Sequence, residues 1–250
     1  MNRRGFLTLG AGALGWLSAA HGVRAQTPQS AQPPTPAPGS DIPYGESRLG
    51  ISNGLRDGTL FVPKSYKPGV AMPLLMMLHG YAGSGDSMRY TFPLAEEFGV
   101  IVIAPESRDL TWGQSAPGFD PDVRYLSAAV REVVDMLDID PTHVALAGIS
   151  DGAGYALSMG LAYGDSFNHV MVFSGGLMIP FRRQGNPHIF IAHGLNDIQM
   201  PIDRTGRRFA DELKIDGYDV TYREYEGGHA VPRDVLRAGF EWFLADLKRP

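Results

Sequence analysis

Gly148-Ile149-Ser150-Asp151-Gly152 sets a serine between two glycines in the pattern G-x-S-x-G, the spacing found where a strand turns sharply into a helix and presents a serine hydroxyl. Glycines are wanted there because strand and helix come too close for side chains and the backbone is strained. A serine hydroxyl is a poor nucleophile at neutral pH and needs a base within hydrogen-bond reach, normally a histidine oriented by a carboxylate. Among seven histidines, His229 has the best setting, in the glycine-bearing segment Glu226-Gly227-Gly228-His229-Ala230. His193 is the weaker alternative, since Phe190-Ile191-Ala192 before it and Gly194 after it suit a strand end. For the carboxylate, Asp197 lies a few residues beyond that strand, and Asp203, its competitor, is expected to cap the helix that follows. The chemistry such a set performs is acyl transfer.

A tetrahedral oxyanion also needs preorganised donors. The backbone N–H of Asp151 is expected to be one, and an N–H from His79-Gly80-Tyr81-Ala82-Gly83-Ser84-Gly85 the other, with Tyr81 the choice. His79 is read as a support for that loop.

These residues meet only if the chain between them brings them to one edge. Short apolar runs at 58–63, 73–79, 100–104, 143–147, 169–173 and 188–192, each followed by glycine, proline or polar residues, read as strands of a parallel sheet. Residues 220–225 alternate with period two and read as the last strand. Between the runs, Val123, Leu126, Val130, Val133, Val134 and Leu137 recur at helical intervals. Residues 155–162, 204–215 and 235–247 also read as helices. The alternation predicts an α/β fold with ligands outside the carboxyl ends of the strands.

Together, His79-Gly80, the Gly148 to Gly152 turn, Gly194-x-x-Asp197-x-x-x-Pro201 and Gly227-Gly228-His229 resemble the phospholipase/carboxylesterase family of α/β-hydrolases, with some likeness to polyhydroxybutyrate-depolymerase-type esterases. The resemblance spans residues 60–247 and implies a mostly parallel sheet with helices on both faces. It also implies Ser150, Asp197 and His229 as the triad, in the chain order of that fold, and Tyr81 with Asp151 as the oxyanion hole. That order leaves only His169, His188, His193 and His229 late enough for the base, and the first two open apolar strands. One departure is Asp151, where relatives often carry glutamine, so the substrate preference of the thioesterase branch does not transfer.

Residues 174–187 are too short a connection to fold into a cap, which predicts an open site with no large cap domain. Met178 and Phe181 on this connection, with Ile179 and Pro180 between them, are expected to line an acyl pocket. Trp112 and Phe119, on the long connection 106–121, are the other candidate recognition residues.

Composition narrows the alternatives. At 250 residues, 44% hydrophobic and 20% charged, the chain suits one globular catalytic domain. A net charge of −5 offers nothing to hold nucleic acid, and the absence of cysteine removes disulfides, thiolate metal sites and a thiol nucleophile. No metal-ligand spacing or phosphate loop is present, and serine hydrolysis requires no cofactor. Residues 1–25, with Arg3-Arg4 before a short apolar stretch, resemble a twin-arginine signal peptide cleaved after Ala25, an ordinary secretory signal being the alternative. The stretch is too short for a stable membrane anchor. Residues 26–43 read as a proline-rich disordered spacer and 44–250 as the catalytic domain. The expected protein is a periplasmic or secreted serine esterase acting on a small or polymeric ester, with the export machinery as its other partner. A peptidase or amidase on the same scaffold, and a catalytically silent binding protein, are the rival readings.

Overall fold

The computed structural model describes residues 42–52, 56–113 and 121–247. The expected signal peptide, most of the spacer and Phe119 lie outside these residues. Eight strands, β1 (Gly45–Arg48), β2 (Gly58–Val62), β3 (Met72–Leu78), β4 (Ile101–Pro105), β5 (Ile139–Ile149), β6 (His169–Phe173), β7 (His188–Gly194) and β8 (Val220–Tyr225), form one sheet in the order β1-β2-β4-β3-β5-β6-β7-β8. Pairing is antiparallel for β1–β2 and β2–β4 and parallel from β4 to β8. Among the described residues, five α-helices accompany it: α1 (Phe92–Phe98), α2 (Pro121–Met136), α3 (Asp151–Ala162), α4 (Gly206–Ile215) and α5 (Arg233–Phe243).

The central parallel strands β3, β4, β6 and β7 and the second half of β5 are largely apolar because both faces of the sheet are covered there. Leu74, Met76 and Leu78 of β3 pack with Tyr125 and Val133 of α2 and Tyr155 and Met159 of α3. The alternate residues Leu75 and Met77 pack with Leu94 of α1 and Phe240 of α5 on the other face. Further along, Val170, Val172, Ile189 and Ile191 meet Leu157 of α3 and Phe209 of α4. The chain steps from β3 outward to β4, then back across to β5, so the ends of β3 and β5 flank a reversal in strand order, where a crevice forms.

All seven expected strands are present. β5 starts earlier than its apolar run, because residues 139–142 continue beside β3 as an exposed extension. Among the described residues, three elements carry no sequence signal: β1, a half-exposed edge strand of sequence Gly-Glu-Ser-Arg, a 3-10 helix at Gly85–Thr91, and the seven-residue α1, which is too short to show a period. Pro93 suits α1 because it stands in the first turn, where the lost N–H is not needed. One expectation is corrected: Asp203 caps no helix. It lies in a 3-10 turn, Ile202–Arg204, and pairs with Arg207 at 2.7 Å, while Thr205 occupies the position before α4.

At the opposite, amino-terminal edge of the sheet, His143, His169 and His188 on three successive strands stack at 5.4 and 5.3 Å between ring centres. Burial first, then the neighbouring His143 and His188, push His169 down to about 4 from 6.5. The unfolded chain therefore takes up this proton more readily than the folded one. Stability is full above pH 6.5 and falls as the pH drops toward about 4, by up to about 3 kcal/mol from this residue. His169→Leu is expected to shrink the difference in urea midpoint between about pH 8 and about pH 4, measured with a chelator present. An unchanged difference would remove His169 from the acid sensitivity.

Candidate active site

Ser150 stands between the last residue of β5 and the first of α3 with φ 56° and ψ −116°, a conformation that L-residues rarely adopt. Such a conformation costs on the order of 1–3 kcal/mol and persists where the surroundings enforce it. Here the Ser150 N–H donates to Phe173 O at 3.0 Å. A Cβ on Gly148 would sit 2.4 Å from the Gly152 carbonyl, and one on Gly152 would sit 2.3 Å from His79 O. The two motif glycines are thus required by contact, the first against the helix start and the second against the end of β3.

His229 lies on the loop between β8 and α5. Its Nε2 is 2.8 Å from Ser150 Oγ and its Nδ1 2.7 Å from Asp197 Oδ2. Because the carboxylate only accepts, Nδ1 carries the hydrogen and Nε2 is left with its lone pair facing the serine hydroxyl. The loop is braced from below: Tyr225 Oη donates to Ala230 O at 2.6 Å, and Asn196 N–H donates to Gly227 O at 2.8 Å. Gly194 permits that close approach, since a Cβ there would lie 2.5 Å from Gly228 O.

Asp197 is buried on the turn after β7. Its Oδ1 accepts from the N–H groups of Gln199 at 3.0 Å and Met200 at 2.9 Å, leaving Oδ2 for His229. Burial alone would raise its pKa, but the Met200 N–H and the adjacent His229 outweigh it, so the carboxyl is held below its usual range. His193 adds a contact that sequence reasoning missed. Fully buried, it donates from Nε2 to Met200 O at 2.8 Å and faces Asp197 Oδ2 at 3.3 Å. Its Nδ1 has no hydrogen-bond partner, which matches a neutral ring, and burial lowers its pKa. His193 is therefore no rival base for Ser150; it grips the turn that carries the acid. The signal was its spacing of four from Asp197.

On the other side of Ser150 runs the loop after β3. A Cβ on Gly80 would lie 3.6 Å from Ser150 Cβ, so this loop borders the nucleophile directly. The Ala82 N–H is bonded to Leu110 O at 2.6 Å and the Gly83 N–H to Gly80 O at 3.0 Å, which fixes the backbone around Tyr81, whose side chain is exposed. His79 supports the turn as expected: Nδ1 donates to Gly80 O at 2.7 Å and Nε2 accepts from the Ser107 N–H at 3.0 Å.

Two recognition expectations are corrected. Trp112 has 1% of its surface exposed, donates from Nε1 to His79 O at 2.8 Å and stacks on Tyr155 at 5.7 Å. It packs its loop onto the sheet and offers a substrate no surface. Phe181 packs edge-on against Tyr163, just past the far end of α3, about 18 Å along the helix from Ser150. Residues 177–184 run down the helix, the Gln184 N–H reaching Leu161 O, so Met178 packs against the helical core and Leu177, close to Gly154, is the member nearest the serine. Exposed Tyr81, Leu110, Leu177 and Ile198 give this end of the sheet an apolar rim.

Asp151 has a second task that its type alone did not disclose. Its Oδ2 accepts from Thr111 Oγ1 at 2.8 Å and from the Trp112 N–H at 3.2 Å, tying the helix start to the loop beside the site. Asp151→Ala is expected to cost about 1 kcal/mol, a few degrees in melting temperature, and Asp151→Asn less. Equal melting temperatures for wild type and Asp151→Ala would contradict the tie.

The family model described as Esterase matches residues 53–193, more than half of the chain. The chain belongs to that family of carboxylic ester hydrolases. Feruloyl esterase C of Emericella nidulans is 27% identical over 183 residues, covering 68% of this chain and 67% of that protein. Among solved structures, esterase PE8 superposes with a TM-score of 0.64 at 20% identity, covering 77% of this chain and 99% of its own. Thermogutta terrifontis esterase 2, phosphorylated by paraoxon, superposes with a TM-score of 0.63 at 18% identity, covering 81% of this chain and 93% of its own. The architecture is that of the α/β-hydrolase esterases. No helix among the described residues is long and apolar enough to cross a membrane.

Proposed function

We propose that this esterase cleaves its substrate through an acyl-enzyme on Ser150, with His229 as general base and acid and Asp197 as the orienting carboxylate. The observation that carries the reading is the unbroken line Asp197 Oδ2, His229 Nδ1, His229 Nε2, Ser150 Oγ, with contacts of 2.7 and 2.8 Å. His229 takes the hydroxyl proton as Oγ attacks the ester carbonyl carbon, and the N–H groups of Tyr81 and Asp151 hold the oxyanion. The Asp151 N–H opens α3, where no intrahelical acceptor exists for it. On collapse, the alkoxide leaves with the proton from His229. Water then repeats the sequence: His229 deprotonates it, the acid departs, and Ser150 regains its proton.

The apolar rim and the likeness to a feruloyl esterase favour esters of hydrophobic or aromatic acids, reached from an open face. Residues 1–25 are proposed to direct export, leaving a periplasmic or secreted protein that begins at Gln26. A panel of p-nitrophenyl esters, feruloyl esters, lysophospholipids, polyesters and matched anilides tests the substrate reading. Feruloyl and short p-nitrophenyl esters are expected to turn over at least about 100-fold faster than the anilides, a difference of about 2.7 kcal/mol in barrier. Anilides cleaved as fast as esters would favour an amidase instead.

A further inference from the structure

We propose that His143, His169 and Asp246 form a binding site for a divalent transition-metal ion, with zinc the ion of reference, at the end of the sheet remote from Ser150. One nitrogen from each ring and one carboxylate oxygen lie within 4.8 Å of one another. The closest pair, His143 Nε2 and Asp246 Oδ1, is 3.2 Å apart. Ligands bonded at 2.0–2.1 Å around a tetrahedral ion stand about 3.4 Å apart, so this edge is already formed.

The hydrogen bonds behind the rings point the same way. Asn168 Oδ1 is an acceptor, so His169 Nδ1 donates to it at 2.8 Å and Nε2 keeps a lone pair. Thr142 Oγ1 donates to Asp140 at 2.7 Å and so receives the Nδ1 hydrogen of His143 at 2.9 Å, with Asp140 Oδ2 also near at 3.3 Å. His143 Nε2 then turns a second lone pair toward the carboxylate of Asp246, an arrangement that requires a proton or a cation between them. Imidazoles whose far nitrogens are held by a carboxylate, hydroxyl or amide oxygen are the usual setting of metal-ligating histidines. Both rings are buried, while the Asp246 side chain is 70% exposed and offers the ion a way in.

Two imidazoles and one carboxylate, with no thiolate, suit zinc, nickel or copper, with a remaining position for water. The three ligands come from β5, β6 and the turn after α5, too far apart in sequence for any spacing to reveal them. From His143 to Ile149 the strand covers about 20 Å, so the ion would touch no substrate. Its effect is structural: it fastens the end of the chain that follows α5 to the sheet, and binding only the folded state raises stability.

The test uses untagged full chain stripped with a chelator. Zinc titration against a chromophoric competitor should show one tight equivalent, a raised melting temperature reversed by chelator, and unchanged esterase rate. Asp246→Asn, a substitution on an exposed side chain, should weaken that binding at least tenfold with little effect on the zinc-free melting temperature. His143→Gln should weaken binding as much, with its zinc-free melting temperature measured alongside because the ring is buried. A Co²⁺ complex of wild type should show visible d–d absorption that Asp246→Asn lacks. No saturable zinc binding, or binding that Asp246→Asn leaves unchanged, overturns the site. So does zinc binding that inhibits the esterase, which would place the ion on His229.

Discussion

Replacing Ser150 by alanine is expected to lower kcat for ester hydrolysis by about 10⁶-fold, the scale seen when a triad nucleophile is lost. The substitution removes Oγ, and with it the bond through which the acyl group is held. His229 and the Tyr81 and Asp151 N–H groups remain, so a residual acceleration over water is expected from oxyanion stabilisation and binding alone. Alanine has a Cβ like serine, so the strained φ of 56° is neither relieved nor worsened. The Ser150 N–H to Phe173 O bond is also kept. Melting temperature should move by no more than a few degrees, so a large fall in activity would report chemistry and not unfolding. Steady-state rates beside a thermal melt make the check. A loss of only a few fold would move the nucleophile elsewhere.

Asp197→Asn is expected to cost about 10⁴-fold in kcat, for a reason visible in the hydrogen bonds. The Gln199 and Met200 N–H groups require an acceptor at the position of Oδ1. The asparagine oxygen must therefore turn that way, and its NH₂ faces His229 Nδ1. That nitrogen then has to accept, which moves the ring hydrogen to Nε2, where it faces Ser150 Oγ as a donor. The imidazole remains in place in the wrong tautomer. His193, whose Nε2 hydrogen also points toward Oδ2 at 3.3 Å, adds an opposing donor. Wild-type Asp197 keeps its charge below the usual carboxylate range. Its contribution to stability is therefore full above the ordinary aspartate value and is lost only as the pH falls through the lowered one. A variant retaining a tenth of wild-type kcat would show that Asp197 does not set the tautomer.

Much of this was legible in the sequence because parallel strands buried on both faces leave continuous apolar runs. Two catalytic candidates follow such runs, Ser150 after β5 and Asp197 after β7, while His229 follows β8, which shows instead as a period-two alternation. Gly148 and Gly152 were legible as a motif, although only the contact of Gly148 is local to the turn and that of Gly152 is with the end of β3. What stayed hidden depends on contacts across the fold. Trp112 reads as a recognition residue until its indole is found against His79 O and Tyr155. Phe181 reads as pocket lining until the direction of residues 177–184 along α3 is known. β1 has no apolar pattern because only half of it is covered, and α1 is too short for a period. The grip of His193 on Asp197 and the meeting of His143, His169 and Asp246 likewise require the sheet to be assembled first.

The central claim, that Ser150 is the nucleophile activated by His229, is tested most directly by covalent labelling with a fluorophosphonate followed by peptide mass analysis. The account predicts one adduct per chain, located on Ser150, with labelling abolished in Ser150→Ala and slowed at least about 10²-fold in His229→Ala. An adduct on another residue, or equal labelling rates with and without His229, would contradict it.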